Sequence, residues 1–257
     1  MSIGINWLPE IAYLYLLVFA RVGVMLMLLP AFGEKMIMGR MRLSFALLFS
    51  LVIFPLVSDQ LPAFNSDNLL VVFQVLLHEI AIGFILGGIG RLIVSGAQTA
   101  GSIIAFQIGL SAALGADPTN GGVQGALIGG FLSFLGIALI FATNLHHLIL
   151  AGVYDSYMVF PPSSPLMLGD AADLAVQTMS KAFVIGVQMA APFIVFGLVF
   201  YLGLGLLARL MPQVQVFFVA MPANIGIGLL LMALLLTMMM GWYLAHVEEQ
   251  FIMFRGG

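Results

Sequence analysis

Residues 182–208 read AFVIGVQMAAPFIVFGLVFYLGLGLLA and residues 217–246 read FFVAMPANIGIGLLLMALLLTMMMGWYLAH, and neither stretch contains an Asp, Glu, Lys or Arg. A bilayer core is crossed by about 20 mostly apolar residues in helical form, because lipid offers unpaired backbone groups no hydrogen-bond partner. Both stretches exceed that length. Outward from them, further apolar runs lie at 11–30, 43–58, 69–94 and 124–150, with a more ambiguous one at 96–114. The chain is therefore predicted to be all-α, a polytopic membrane protein of about six to seven hydrophobic helices.

The polar intervals predict the connections: 34–42, 59–68, 117–122, and 154–181 with its Pro161, Pro162 and Pro165. Pro212 and Pro222 put a turn or a broken helix after Arg209. Lys35, Arg40 and Arg42 fall in the first loop, Arg91 near the third and Arg209 in the fifth, whereas the second holds only Asp59 and Asp67. Because Lys and Arg accumulate in cytoplasmic loops, six spans would then place both termini outside, with Lys181 and Arg255 dissenting.

Charged residues make up 7% of the chain, where a soluble protein carries about a quarter, so the surface cannot be made wettable. No polar stretch is long enough for a separate soluble domain, and residues 1–257 are read as a single membrane domain. The first basic residue is Arg21, so the first apolar segment lacks the positive n-region of a signal peptide and is expected to be retained. The absence of Cys excludes disulfides, thiolate metal sites and cysteine nucleophiles. A net charge of -3 leaves no footprint for nucleic acid.

Catalytic patterns fail on inspection. Gly203-Leu204-Gly205-Leu206-Leu207-Ala208 matches a dinucleotide fingerprint only formally, since it sits inside an apolar run without a preceding strand or a following acidic residue. His78-Glu79 lacks the second histidine of a zinc protease. His146 and His147 are adjacent, so they cannot share a helix face, and with Asn144 they read as a helix-end group rather than a metal site. Ser111 with Asp117, or Ser156 with Asp155, has no base and orienting group at readable spacing. No enzyme activity and no cofactor are expected.

The informative polar residues are those in apolar segments: Arg21, Glu79 and Arg91. A charge at membrane depth costs about 2.5–3.5 kcal/mol on insertion scales, so it is normally paired or faces protein or water. Buried ion pairs involving Arg21, Glu79 and Arg91 are expected, with Arg91 alternatively snorkelling to the interface. A proton relay would need a chain of carboxylates, and only Glu79 is available.

Glycine recurs at four-residue spacing, in Gly83 with Gly87, Gly125 with Gly129, and the ladder Ala97, Gly101, Ala105, Gly109, Ala113. Residues four apart share a helix face, so such stripes admit another backbone closely, either within the chain or from another subunit. The least usual segment is Gly109-Leu110-Ser111-Ala112-Ala113-Leu114-Gly115-Ala116-Asp117-Pro118-Thr119-Asn120-Gly121-Gly122. Its Asp-Pro and Gly-Gly pairs break helix while its first half is small and apolar. It is either a plain connection or irregular backbone lining a cavity.

The order of punctuating residues then forms a pattern. It runs from Arg21 and Pro30 through Arg40, Arg42 and Pro55 to Glu79 with Gly83, Ala100-Gly101, Gln107, Gly109 and Asp117-Pro118. It continues with Asn144, His146, Ser156, Pro161, Lys181 and Pro192, and ends in Arg209-Leu210-Met211-Pro212-Gln213, Phe217 and Pro222. Over roughly residues 10–245 this resembles the FliR family of type III export-gate subunits, found in flagella and in injectisomes. Gln107-Ile108-Gly109, Asp117-Pro118 and Pro212-Gln213 together carry most of the specificity.

The resemblance implies a subunit of the flagellar export gate in the bacterial inner membrane, at the basal body, assembled with FliP and FliQ and contacted by FlhB. It implies kinked hairpins packed helically around a central pore for unfolded flagellar substrates, lifted above the plane that hydropathy suggests. It further implies that residues 109–122 form a plug in that pore. Gly83, Gly87, Gly101, Gln107, Pro212, Gln213, Phe217 and Pro222 would serve subunit packing. The alternatives are the injectisome counterpart or a stand-alone small-solute transporter, with an intramembrane hydrolase as a third class.

Overall fold

The computed structural model describes residues 8–34, 37–62, 69–110, 123–162, 164–165, 168–211 and 216–253. Among these there is no strand. In chain order the helices are α1 (Leu8–Leu28), α2 (Gly39–Val57) with a 3-10 turn at Ser58–Gln60, α3 (Leu69–Val94) and α4 (Gly96–Gln107). They continue as α5 (Val123–Ala142), α6 (Leu145–Val159), α7 (Leu168–Leu210) and α8 (Val216–Met253). Five helices are long and apolar enough to cross a membrane, or up to six if the bent pair α5–α6 counts as one span. The protein is an all-α polytopic membrane protein.

Four boundaries differ from the sequence expectation, the first being the start of α2 at Gly39, inside the connection expected at 34–42, so that Arg40 and Arg42 are helical. The run at 96–114 is not a separate span, because α4 continues α3 after the single residue Ser95 and the two form one 39-residue candidate span, Leu69–Gln107. The run at 124–150 is broken: α5 and α6 meet at an 82° bend, where Asn144 takes a left-handed φ of 61°. Asn is among the few non-glycine residues that adopt this region readily.

The connection expected at 154–181 shrinks to the interval between α6 and α7, because α6 runs on to Val159 and α7 starts at Leu168. Its polar first turns, with Asp170, Asp173 and Lys181, hid that start from a search for apolar runs. A helical stripe was nonetheless present: Ala171, Thr178, Ala182, Ile185, Met189 and Phe193 are all buried, at steps of three, four or seven. Helix also runs on through Pro55, Pro192 and Pro222, in α2, α7 and α8.

The chain forms two compact units. One draws on residues up to 92, 140–178 and 248 onward; the other draws on 93–139 and 179–247. In the first, α1 packs against α2, where the Tyr15 hydroxyl donates to the Leu47 carbonyl at 3.0 Å, and in the turn after α1 the Phe32 ring stacks on Phe45 of α2 at 5.4 Å. Its core holds Leu17, Val18 and Val22 of α1, Ile82 and Leu86 of α3, and Ile149 and Val153 of α6.

In the second unit α4 lies against α5 so closely that a Cβ at Gly101 would strike the backbone of Gly129. Gly96 faces Ala182 and Ile185 of α7. The Tyr243 hydroxyl of α8 donates to the Val94 carbonyl at 3.3 Å.

Candidate functional site

Arg21 sits in mid-α1 with no solvent exposure, and Glu79 of α3 is equally buried. A guanidinium offers its donors as a planar fork that matches a carboxylate. Arg21 Nε lies 2.6 Å from Glu79 Oε2 and Nη2 lies 3.1 Å from Oε1, so the pair is bidentate. The outer nitrogen, Nη1, donates to the carbonyls of Ser156 at 3.2 Å and Phe160 at 2.8 Å.

Those carbonyls belong to the C-terminal end of α6: the Ser156 carbonyl already accepts the Phe160 N–H at 3.0 Å and takes Arg21 as a second donor, while the Phe160 carbonyl lies just past the last turn, where a helix runs out of its own donors. Arg21 therefore caps α6 while neutralising Glu79. The Tyr157 ring lies 4.2 Å beneath the guanidinium carbon, adding a cation–π contact in a desolvated place. One turn beyond Glu79, a Cβ at Gly83 would come within 2.5 Å of the Arg21 carbonyl oxygen, so glycine is what lets α1 and α3 approach at the pair.

A second polar cluster lies at the end of α4. Asn224 of α8 is 3% exposed, and its Nδ2 is 3.4 Å from the Gln107 carbonyl and 3.5 Å from the Tyr201 hydroxyl of α7. Gly109 ends the helix with φ +76°.

A family model described as bacterial export proteins, family 1, matches residues 12–250. A protein named flagellar biosynthetic protein FliR from Caulobacter vibrioides is 45% identical over 225 residues, covering 88% of this chain and 89% of that one. The chain belongs to the FliR family of bacterial export proteins. A FliR from Bacillus subtilis is 31% identical over 223 residues, covering 85% of this chain and 84% of its own. A FliR from Escherichia coli is 27% identical over 235 residues, covering 91% and 87%.

Within this FliR-family chain the residues singled out from sequence fare differently. Arg21 and Glu79 are brought together, whereas Arg91, in the last turn of α3, is exposed and takes no part in the pair. Gly83 and Gly87 face α1, the latter against Leu28 and Met25, and Gly101 faces α5, so these small faces are occupied within the chain. The Gln107 side chain covers Gly197.

Pro222 is exposed inside α8, and Phe217 lies in its first turn. Pro212 and Gln213 fall outside the described residues. Of the expected plug, Gly109 is buried and Leu110 half-buried, while Ser111, Ala112, Ala113, Leu114, Gly115, Ala116, Asp117, Pro118, Gly121 and Gly122 lie outside the described residues.

Sequence reasoning missed the α6 carbonyls, Tyr157 and Asn224. Backbone acceptors carry no residue-type signal. Asn224 did carry one, as a carboxamide inside the uncharged run 217–246.

Proposed function

We propose that this chain is a subunit of the flagellar type III protein export gate in the bacterial inner membrane, at the basal body. It works as a single FliR-type membrane domain over residues 1–257, assembled with FliP and FliQ and contacted by FlhB. It forms part of the wall of a pore for unfolded flagellar substrates and performs no bond chemistry. The 45% identity to the flagellar FliR of Caulobacter vibrioides, spread over 88% of the chain, carries this reading. It also favours the flagellar system over the injectisome counterpart.

Two features accord with a life inside an assembly. Large apolar side chains such as Leu48, Phe73, Phe84, Leu198, Leu206 and Leu234 are exposed on four different helices, and a surface of this kind needs lipid or other subunits to cover it. Pro212, Gln213, Phe217 and Pro222 then remain as subunit-packing residues, since the glycine faces are filled within the chain.

Residues 109–122 hold the pore closed at rest. Small side chains suit a narrow lumen, and a tightly packed apolar constriction is a sufficient barrier to ions.

Deleting the gene is expected to abolish motility and flagellin export. Shortening residues 110–121 is expected to leave assembly intact and raise ion leakage through whole gate complexes in cells. Transport of a small solute by the isolated, monodisperse chain in liposomes, without partners, would overturn the gate reading in favour of a stand-alone transporter. Tight complexes with a shortened segment would remove the plug assignment alone.

A further inference from the structure

The C-terminus of α4 is held by side chains from elsewhere. Its last residue, Gln107, lies in the final turn, where a helix runs out of its own donors, and among the described residues Asn224 Nδ2 of α8 reaches its carbonyl at 3.4 Å. The same Nδ2 faces the Tyr201 hydroxyl of α7. Two residues on, Gly109 turns the chain into the left-handed region, the usual conformation just past a helix end.

A Cβ at Gly109 would stand 3.1 Å from Asn224 Nδ2 and 3.7 Å from the Tyr201 hydroxyl, so the two side chains close over the turn itself. Beside them Phe200, Leu204 and Met221 complete a small cavity lined also by Gly109, Tyr201 and Asn224. Ile108, between the two contacts, packs on Gly228 of α8.

Asn224 is an expensive way to fill space in an apolar helix. Its Oδ1 is buried without a hydrogen-bond partner among the described residues, and a buried acceptor left unpaired is destabilising. An aliphatic side chain would avoid that cost but could not reach the Gln107 carbonyl as a donor.

We propose that Asn224 is a positioning residue that, with Tyr201, clamps the end of α4 at Gln107–Gly109, the residues that lead in sequence into the segment read as the plug. The effect on sealing rests on the reading of residues 109–122 as the plug; the clamp itself rests only on the contacts above. Without the clamp, the last turn of α4 opens.

The test uses whole gate complexes purified with Asn224→Ala, with Tyr201→Phe and with the shortened segment. Amide hydrogen exchange over residues 106–109 should rise by about tenfold in Asn224→Ala, the effect of losing one such bond to local opening. Tyr201→Phe, which removes one hydroxyl from a side chain 39% exposed, should give a smaller rise and keeps the test alive where Asn224→Ala fails to assemble.

In cells, complexes of normal subunit composition carrying either substitution should leak ions. Unchanged exchange in both variants overturns the clamp. Raised exchange with tight complexes, while the shortened segment leaks, overturns its role in sealing. If the shortened segment is also tight, the plug reading falls and exchange alone decides the clamp.

Discussion

Removing the Glu79 carboxylate would leave the Arg21 guanidinium buried against Tyr157 with its two inner nitrogens unanswered. Breaking a buried pair in this way costs about 3–5 kcal/mol, because the remaining charge is not compensated. Glu79→Leu should therefore lower the thermal midpoint of the solubilised gate complex and the yield of assembled complexes. Replacing both partners with leucine should recover part of the loss, since no charge is then stranded. Exchanging them, Arg21→Glu with Glu79→Arg, should not restore stability, because a carboxylate at position 21 cannot donate to the Ser156 and Phe160 carbonyls. Full recovery by the exchanged pair would show that the α6 cap contributes nothing. Glu79→Gln tests the other reading of this residue: normal assembly with loss of proton-coupled export would turn the pair from a structural tie into part of a relay. The residues of the pair were legible in sequence because an isolated charge in an apolar helix demands a partner. The third participant was not, since the acceptors are main-chain carbonyls that only the end of α6 brings within reach.

At the scale of the elements, hydropathy locates most apolar cores but not where helices begin, bend or merge. The span Leu69–Gln107 was read as two runs, 69–94 and 96–114, yet the backbone loses only one residue of helix between them. The start of α7 was missed for the opposite reason: its first turns are polar, and only the buried stripe Ala171, Thr178 and Ala182 marks them as helix. The bend between α5 and α6 depends on one backbone conformation, the φ of 61° at Asn144. Asn144→Gly should be tolerated, because glycine reaches the left-handed region without a Cβ penalty. Asn144→Val should cost about 1–2 kcal/mol, and more if its β-branch strikes a neighbour. Comparing thermal midpoints of whole complexes carrying each substitution checks this. Equal midpoints would mean that the bend is held by packing around it and not by the residue at its apex.

For the whole molecule, helix length conflicts with a set of plain lipid-facing spans. At 1.5 Å per residue, the 43 residues of α7 and the 38 of α8 would reach about 65 and 57 Å if straight, roughly twice the hydrocarbon thickness of a bilayer. Either these helices project beyond the hydrocarbon or they are buried against other subunits for part of their length, and the exposed Asp170 and Asp173 in the first turns of α7 favour projection at that end. The absence of native cysteine makes a scan unambiguous, since each introduced thiol is the only one in the chain. Single cysteines from 170 to 181 should react with a membrane-impermeant maleimide in a helical rhythm. The exposed positions Val176 and Met179 should label, and the buried positions Ala171 and Thr178 should be protected. Val195→Cys, on an exposed face deeper in the apolar run, should be shielded from the same reagent by lipid or by a neighbouring subunit. Uniform labelling from 170 to 181 would restore the loop that the polar composition suggested. If instead lipid-phase probes reported six straight spans of about 20 residues each in the assembled complex, the long helices themselves would have to be abandoned.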